Sequence, residues 1–247
     1  MAEERFDAVV LKESPFGENG KRLVVLAKDL GKITVSAKGA KSAKSRLSAP
    51  TQLFSYSSFV SFKNRNFYNM VSGEIIESFY AVRSDMDKFA YGSFICELTE
   101  KAIPEDMENN AVLHLMLITF AVIAQTDFSP RLAAVIFEIK LLSILGFISG
   151  GESCVVCGTK TGEGQSFFNV RMGGVVCEKC GTKTRGSYPI GEGVRKAIIH
   201  VIKNEGKRIF GFGLSEEVLK QLESIMELYV KVHLGIELKS LEFLKSL

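Results

Sequence analysis

Over residues 1–80 the apolar positions come in short runs bounded by Gly, Asn, Ser or Pro. Residues 5–12, 23–27, 32–37, 53–62 and 67–76 are rich in Val, Ile, Phe and Tyr, and each predicts a strand. Asp29-Leu30-Gly31-Lys32 predicts a hairpin turn in which Gly31 supplies a positive φ, and Asn64-Arg65-Asn66 predicts another. Five short strands in so short a segment predict a small closed barrel. The OB-fold is the commonest five-stranded type, with an SH3-like barrel as its rival.

After Ala81 the apolar spacing becomes helical. Ser84 is placed to cap a helix that opens with Asp85 and Asp87 at its positive dipole end, and Asn109 or Asn110 starts an apolar helix through His114 to Ile123. Ser129-Pro130 supplies an N-cap followed by Pro at the first helical position, and Gly146 fits the position just past the C-terminus. The helix between them is apolar nearly all round, which predicts a central place in a bundle. Residues 152–186 interrupt the pattern with Gly and Cys. Helical spacing resumes over 193–203, again from the Ser215 N-cap to Gly235, and over 238–244. The expected architecture is α+β: an N-terminal barrel over 1–80, then a helical domain over 81–247 carrying an insertion at 152–186.

Composition refines this picture. The 247 residues are 46% hydrophobic and 24% charged, which excludes a disordered or fibrous chain. The net charge of +3 says little by itself, but its distribution is informative: residues 21–46 hold eight Lys/Arg and a single acid, Asp29. No targeting segment is apparent. The longest apolar run, near 111–124, contains His114 and Thr119 and is too short to span a bilayer, so a soluble cytoplasmic protein is expected.

Five cysteines in such a chain favour a metal site or buried thiols over disulfides. Cys154-Val155-Val156-Cys157 and Cys177-Glu178-Lys179-Cys180 form C-x2-C-x19-C-x2-C, inside the spacing window of a structural Zn²⁺ site. Each pair turns two sulfurs towards one point, and Gly158 and Gly181 let the backbone fold back towards them. Four thiolates fill a tetrahedron and leave no position open for water, so the site is closed and structural. Lys160, Arg171, Lys179, Lys183 and Arg185 lie nearby in sequence and would offset its charge. Cys96, on an apolar helix, reads as a small buried hydrophobe.

Lys38-Gly39-Ala40-Lys41-Ser42-Ala43-Lys44-Ser45-Arg46 follows a predicted strand, and its small residues leave four cations free to reach a polyanion. A phosphate backbone is the natural partner, because each contact releases a counterion. Lys21, Arg22 and Lys32 are candidates to join the loop across the barrel face. Phe59, Phe62, Phe67 and Tyr68 flank Lys63 and Arg65; they either stack on bases or fill the barrel. Neither Gly191-Glu192-Gly193 nor Gly211-Phe212-Gly213 is a nucleotide-binding fingerprint. No P-loop, nucleophile elbow, H-E-x-x-H or paired-carboxylate motif is present, so no enzyme is expected.

These residues resemble the RecO family of bacterial DNA repair proteins. The likeness lies in Val9-Val10-Leu11-Lys12, Gly17-Glu18, Leu30-Gly31-Lys32, Ala37-Lys38-Gly39-Ala40-Lys41, Lys44-Ser45-Arg46-Leu47, Phe137-Glu138, Leu145-Gly146-Phe147 and Cys154-Val155-Val156-Cys157-Gly158, in the right order. The last 60 or so residues match only in helical character. The resemblance implies an OB-fold, a helical domain with an inserted zinc ribbon, and a nucleoid-associated recombination mediator. Such a mediator binds single- and double-stranded DNA, anneals complementary strands and helps load recombinase on coated strands. It works with RecR and touches the acidic C-terminal tail of the single-stranded-DNA-binding protein, for which Arg131 and Lys140 are the nearest cations. The alternative is a protein-docking adaptor with little DNA affinity.

Overall fold

The computed structural model describes residues 3–64 and 67–245, so Arg65 and Asn66 of the second expected turn lie outside the described residues. The chain forms two compact units, one running up to Pro130 and resuming from Leu238, the other spanning Arg131–Glu237.

The first unit opens with β1 (Glu3–Phe16), β2 (Gly20–Ala27), β3 (Gly31–Ala37), β4 (Tyr56–Asn64) and β5 (Phe67–Glu77). They close into a barrel in the order β1-β2-β3-β5-β4, with β4 pairing back onto β1 and β3 parallel to β5. This is the OB-fold arrangement, and the SH3-like rival falls away. Alternate residues fill the interior: Phe6, Ala8 and Val10 on β1, Leu23, Val25 and Ala27 on β2, Ile33, Val35 and Ala37 on β3, with Phe59, Tyr68 and Met70. Phe6 packs edge-on against Tyr68 at 5.3 Å between ring centroids. The expected β2–β3 hairpin is present, with Gly31 at φ 75°. A side chain at Gly31 would also collide with the Met107 backbone, so the position needs glycine twice over.

The fourth strand begins at Tyr56 rather than at residue 53. Phe54 takes φ 69°, which breaks the extended run and turns its ring out of the sheet. That ring packs at 5.4 Å on Phe120 and 5.6 Å on Phe89, forming a second apolar cluster between the barrel and the helices α1 (Tyr80–Ser84), α2 (Met86–Ala102) and α3 (Asn110–Gln125). The cap of α2 is Asp85, whose carboxylate accepts the Lys88 N–H; Ser84 ends α1 instead. Asn109 stands at the cap of α3, while the Asn110 amide exchanges hydrogen bonds with Asp29 and pins the hairpin to that helix. Cys96 is buried, as expected, against β1.

The second unit is built on α4 (Pro130–Ile144), which is buried nearly all round from Leu132 to Leu142. Its end is a Schellman closure: the Phe147 N–H reaches Leu142 O, the Gly146 N–H reaches Ser143 O, and Gly146 stands at φ 79°. The cysteine-bearing segment follows, with β6 (Ser166–Asn169), β7 (Gly174–Val176), α5 (Glu178–Gly181) and β8 (Ser187–Ile190). Its sheet has the order β7-β6-β8, so the folded ribbon runs past residue 186. Then come α6 (Glu192–Lys203), a 3-10 turn at Gly206–Phe210 and α7 (Glu216–Leu234), capped by the Ser215 hydroxyl and closed by Gly235 at φ 61°. Tyr229 of α7 is fully buried; its ring meets Phe168 of β6, and its hydroxyl donates to Phe147 O. The last helix, α8 (Lys239–Leu244), belongs to the first unit and packs on α2. Among the described residues no helix is long and apolar enough to cross a membrane.

Candidate functional site

The segment between β3 and β4 starts with the basic loop, and it is ordered by its own backbone. The Ser42 N–H bonds to Gly39 O, Ser45 to Ser42 and Ser48 to Ser45, making three turns end to end. Ala40 is buried in the barrel core and Leu47 packs against it, so apolar contacts hold the loop at both ends. The Lys41 N–H bonds to Asn19 O, which seats the loop beside the β1–β2 turn. Lys38, Lys41, Lys44 and Arg46 are all exposed. Among the described residues none of the four meets a carboxylate; the one polar contact of their side chains is Lys41 Nζ to Glu18 O at 3.4 Å.

Lys21 and Arg22 begin β2 at the same end of the barrel, paired across the sheet with Ala37 and Ser36. Their side chains are partly engaged: Lys21 Nζ lies 2.6 Å from Glu13, and the Arg22 guanidinium sits 4.5 Å from the Phe16 ring centre. Lys32 is not brought to this site. It lies at the hairpin end of β3, about 20 Å of strand away. There its ammonium donates to Glu100 O at 2.6 Å, satisfying an orphan carbonyl in the last turn of α2. Among the aromatics, Phe59 and Tyr68 fill the barrel, whereas Phe62 and Phe67 are half-buried.

The four ribbon cysteines converge. Cys154, Cys157, Cys177 and Cys180 place their sulfurs within 4.8 Å of one another, and Cys157 and Cys177 are 3.7 Å apart. A tetrahedron with metal–sulfur bonds of about 2.3 Å has edges of about 3.8 Å, so the cluster has the size and the all-sulfur donor set to hold a metal ion. Cys154 is buried, Cys157 exposed, and the other two half-buried. The Thr159 hydroxyl and backbone N–H hold the Cys157 thiol down to about 6, towards the thiolate form that a metal needs. Sequence reasoning passed over Thr159, although the same Gly-Thr follows both cysteine pairs.

The two cations expected to meet a partner's tail are committed internally. Arg131 forms a fork with Glu223 (2.7 and 2.6 Å) and reaches Glu216 at 2.8 Å. Lys140 donates to the carbonyls of Ile202 and Asn204, closing the C-terminal end of α6. Neither presents a free charge. Two of the three histidines are likewise structural: His200 meets Arg208 O and His233 meets Val170 O, while His114 is exposed.

Comparison with known proteins supplies the relationship. The model of the Recombination protein O N terminal matches residues 1–79, and that of the Recombination protein O C terminal matches residues 83–242. The chain belongs to the RecO family. It is 34% identical over 239 residues to the DNA repair protein RecO of Acetivibrio thermocellus, covering 97% of this chain and 95% of that one. It is 30% identical over 246 residues to the RecO proteins of Bacillus cytotoxicus and Listeria innocua, covering 99% of this chain and 97% and 94% of theirs. In this RecO family member the barrel with its basic loop falls in the N-terminal match, and the ribbon cysteines fall in the C-terminal one.

Proposed function

We propose that the chain is a non-enzymatic DNA repair and recombination mediator. It binds single- and double-stranded DNA at the barrel end, neutralises two phosphate backbones at once, and so favours annealing of complementary strands. The supporting observation is the ordered loop that holds Lys38, Lys41, Lys44 and Arg46 exposed and, among the described residues, without carboxylate partners, with Lys21 and Arg22 beside it. Ordering the loop in advance lowers the entropy lost on binding. The ribbon holds one structural Zn²⁺ through Cys154, Cys157, Cys177 and Cys180. RecR and the acidic tail of the single-stranded-DNA-binding protein complete the partner set, which helps place recombinase on coated strands.

A salt titration tests the DNA reading. On single strands each phosphate contact contributes a slope of roughly −0.7 in log K against log salt. Replacing Lys38, Lys41, Lys44 and Arg46 by Ala should flatten the slope by up to about 3 units and weaken binding similarly on all sequences, because phosphate contacts do not read bases. An unchanged slope would reduce the loop to solvated surface and favour the adaptor reading. For the metal, Cys177→Ser should release zinc, measured by elemental analysis, and destabilise the ribbon by several kcal/mol. Wild-type protein prepared without chelator and found free of zinc would overturn that assignment.

A further inference from the structure

Both cysteine pairs run into the same dipeptide: Cys157-Gly158-Thr159 and Cys180-Gly181-Thr182. The two copies are put to different uses. In the first, Gly158 takes φ 73° and no atom stands where its Cβ would be, so backbone conformation alone asks for glycine. The turn brings Thr159 back under the pair. Its carbonyl accepts the Cys154 N–H at 2.7 Å, and its hydroxyl oxygen lies 3.0 Å from Cys157 Sγ. In the second, the pair runs into α5, Gly181 packs against the Phe167 ring, and the Thr182 hydroxyl donates to the carbonyls of Glu178 and Lys179 at 3.1 and 3.4 Å. Among the described residues no contact joins Thr182 to a sulfur.

Cys157 is the exposed residue of the four and therefore the ligand most open to water, acid and competing chelators. A metal-bound thiolate has no proton to give, so in the loaded site the Thr159 hydroxyl is the donor. A bond of this kind fixes the sulfur's position and draws charge off it, in a centre where four thiolates and a divalent ion leave a charge of −2.

We infer that Thr159 is a positioning residue of the metal centre, holding the exposed Cys157 thiolate through its hydroxyl, and that Thr182 has no such role. The inference rests on the zinc reading above. Loss of an outer hydrogen bond to a metal ligand typically lowers metal affinity about 10–100-fold.

The test uses the full-length protein as wild type and as Thr159→Val, Thr159→Ser and Thr182→Val. Zinc affinity is measured by competition with a chromophoric chelator, and the sulfur-to-cobalt charge-transfer band is recorded after loading with Co²⁺. Thr159→Val should bind zinc at least about tenfold more weakly, and its cobalt band should move to lower energy as the sulfur becomes richer in electrons. Thr159→Ser keeps the hydroxyl and should restore both values, and Thr182→Val should match wild type. Thr159→Ala removes the hydroxyl without adding a methyl group in its place, and serves if the valine variant folds poorly. Wild-type affinity and an unmoved band in both Thr159→Val and Thr159→Ala would overturn the inference. So would a Thr182→Val defect as large as theirs, which would mean that ribbon folding rather than the sulfur contact is being read. Wild-type protein that binds neither metal would overturn the zinc reading itself, and the role of Thr159 with it.

Discussion

Two carboxylates place opposite demands on pH. Glu97 on α2 faces the start of α8. Burial opposes its charge, but the Ser240 hydroxyl and N–H, Lys101 and the Lys239 N–H outweigh this and hold it down to about 2. Its folded value lies below its unfolded one, so the stability it contributes is present above the ordinary carboxylate range and drains away as pH falls towards 2. Glu97→Gln should remove that dependence; chemical denaturation of the first unit between about pH 6 and pH 3 would give a flatter profile than wild type. Glu138 on α4 is the reverse case. Burial, then the charges of Glu223 and Glu227, push it up to about 8. A raised folded value means stability that is full below the ordinary carboxylate range and is lost as pH rises through about 8. Glu138→Gln should therefore stabilise the second unit by about 1–3 kcal/mol at pH 8 and leave it unchanged near pH 4, read from its thermal transition. Equal melting of the variant and wild type at pH 8 would show that Glu138 is not held neutral.

At the scale of elements, local signals were legible and distant ones were not. The barrel strands show in the sequence because a small barrel must alternate apolar side chains inward, as in Phe6, Ala8 and Val10. The Schellman glycine at Gly146 and the Ser215 cap show because each is a contact of a few residues. The start of β4 was misplaced because Phe54 is β-prone yet takes a positive φ to serve the helical cluster, a tertiary demand that overrides propensity. The α2 cap slipped by one residue because Ser84 and Asp85 are both good capping types, and only the reach to the Lys88 N–H decides between them. The C-x2-C spacing pointed to the four-cysteine cluster at once, but the roles of Arg131 and Lys140 depend on partners far along the chain, Glu223 and Ile202. Charge alone could not reveal that these cations were already engaged. The same holds for Lys32, which carries the right charge but stands at the wrong end of β3.

For the whole molecule, the two carboxylates imply that the units lose stability in opposite directions, the first towards acid and the second towards base. Unfolding followed separately in each unit by residue-resolved hydrogen exchange should then show two midpoints whose order depends on pH. The chain path adds something of a different kind. The first unit is interrupted after Pro130 and resumes at Leu238, where α8 supplies the groups that Glu97 binds. A ribosome therefore makes the barrel, α2 and α3 first, then all of residues 131–237, and only afterwards the segment that completes the first unit. At about 5–20 residues per second this interval is on the order of ten seconds. Throughout it, the nascent barrel unit carries Glu97 without the hydroxyl and amides that hold its charge, and any message cut within residues 131–237 leaves the first unit open for good.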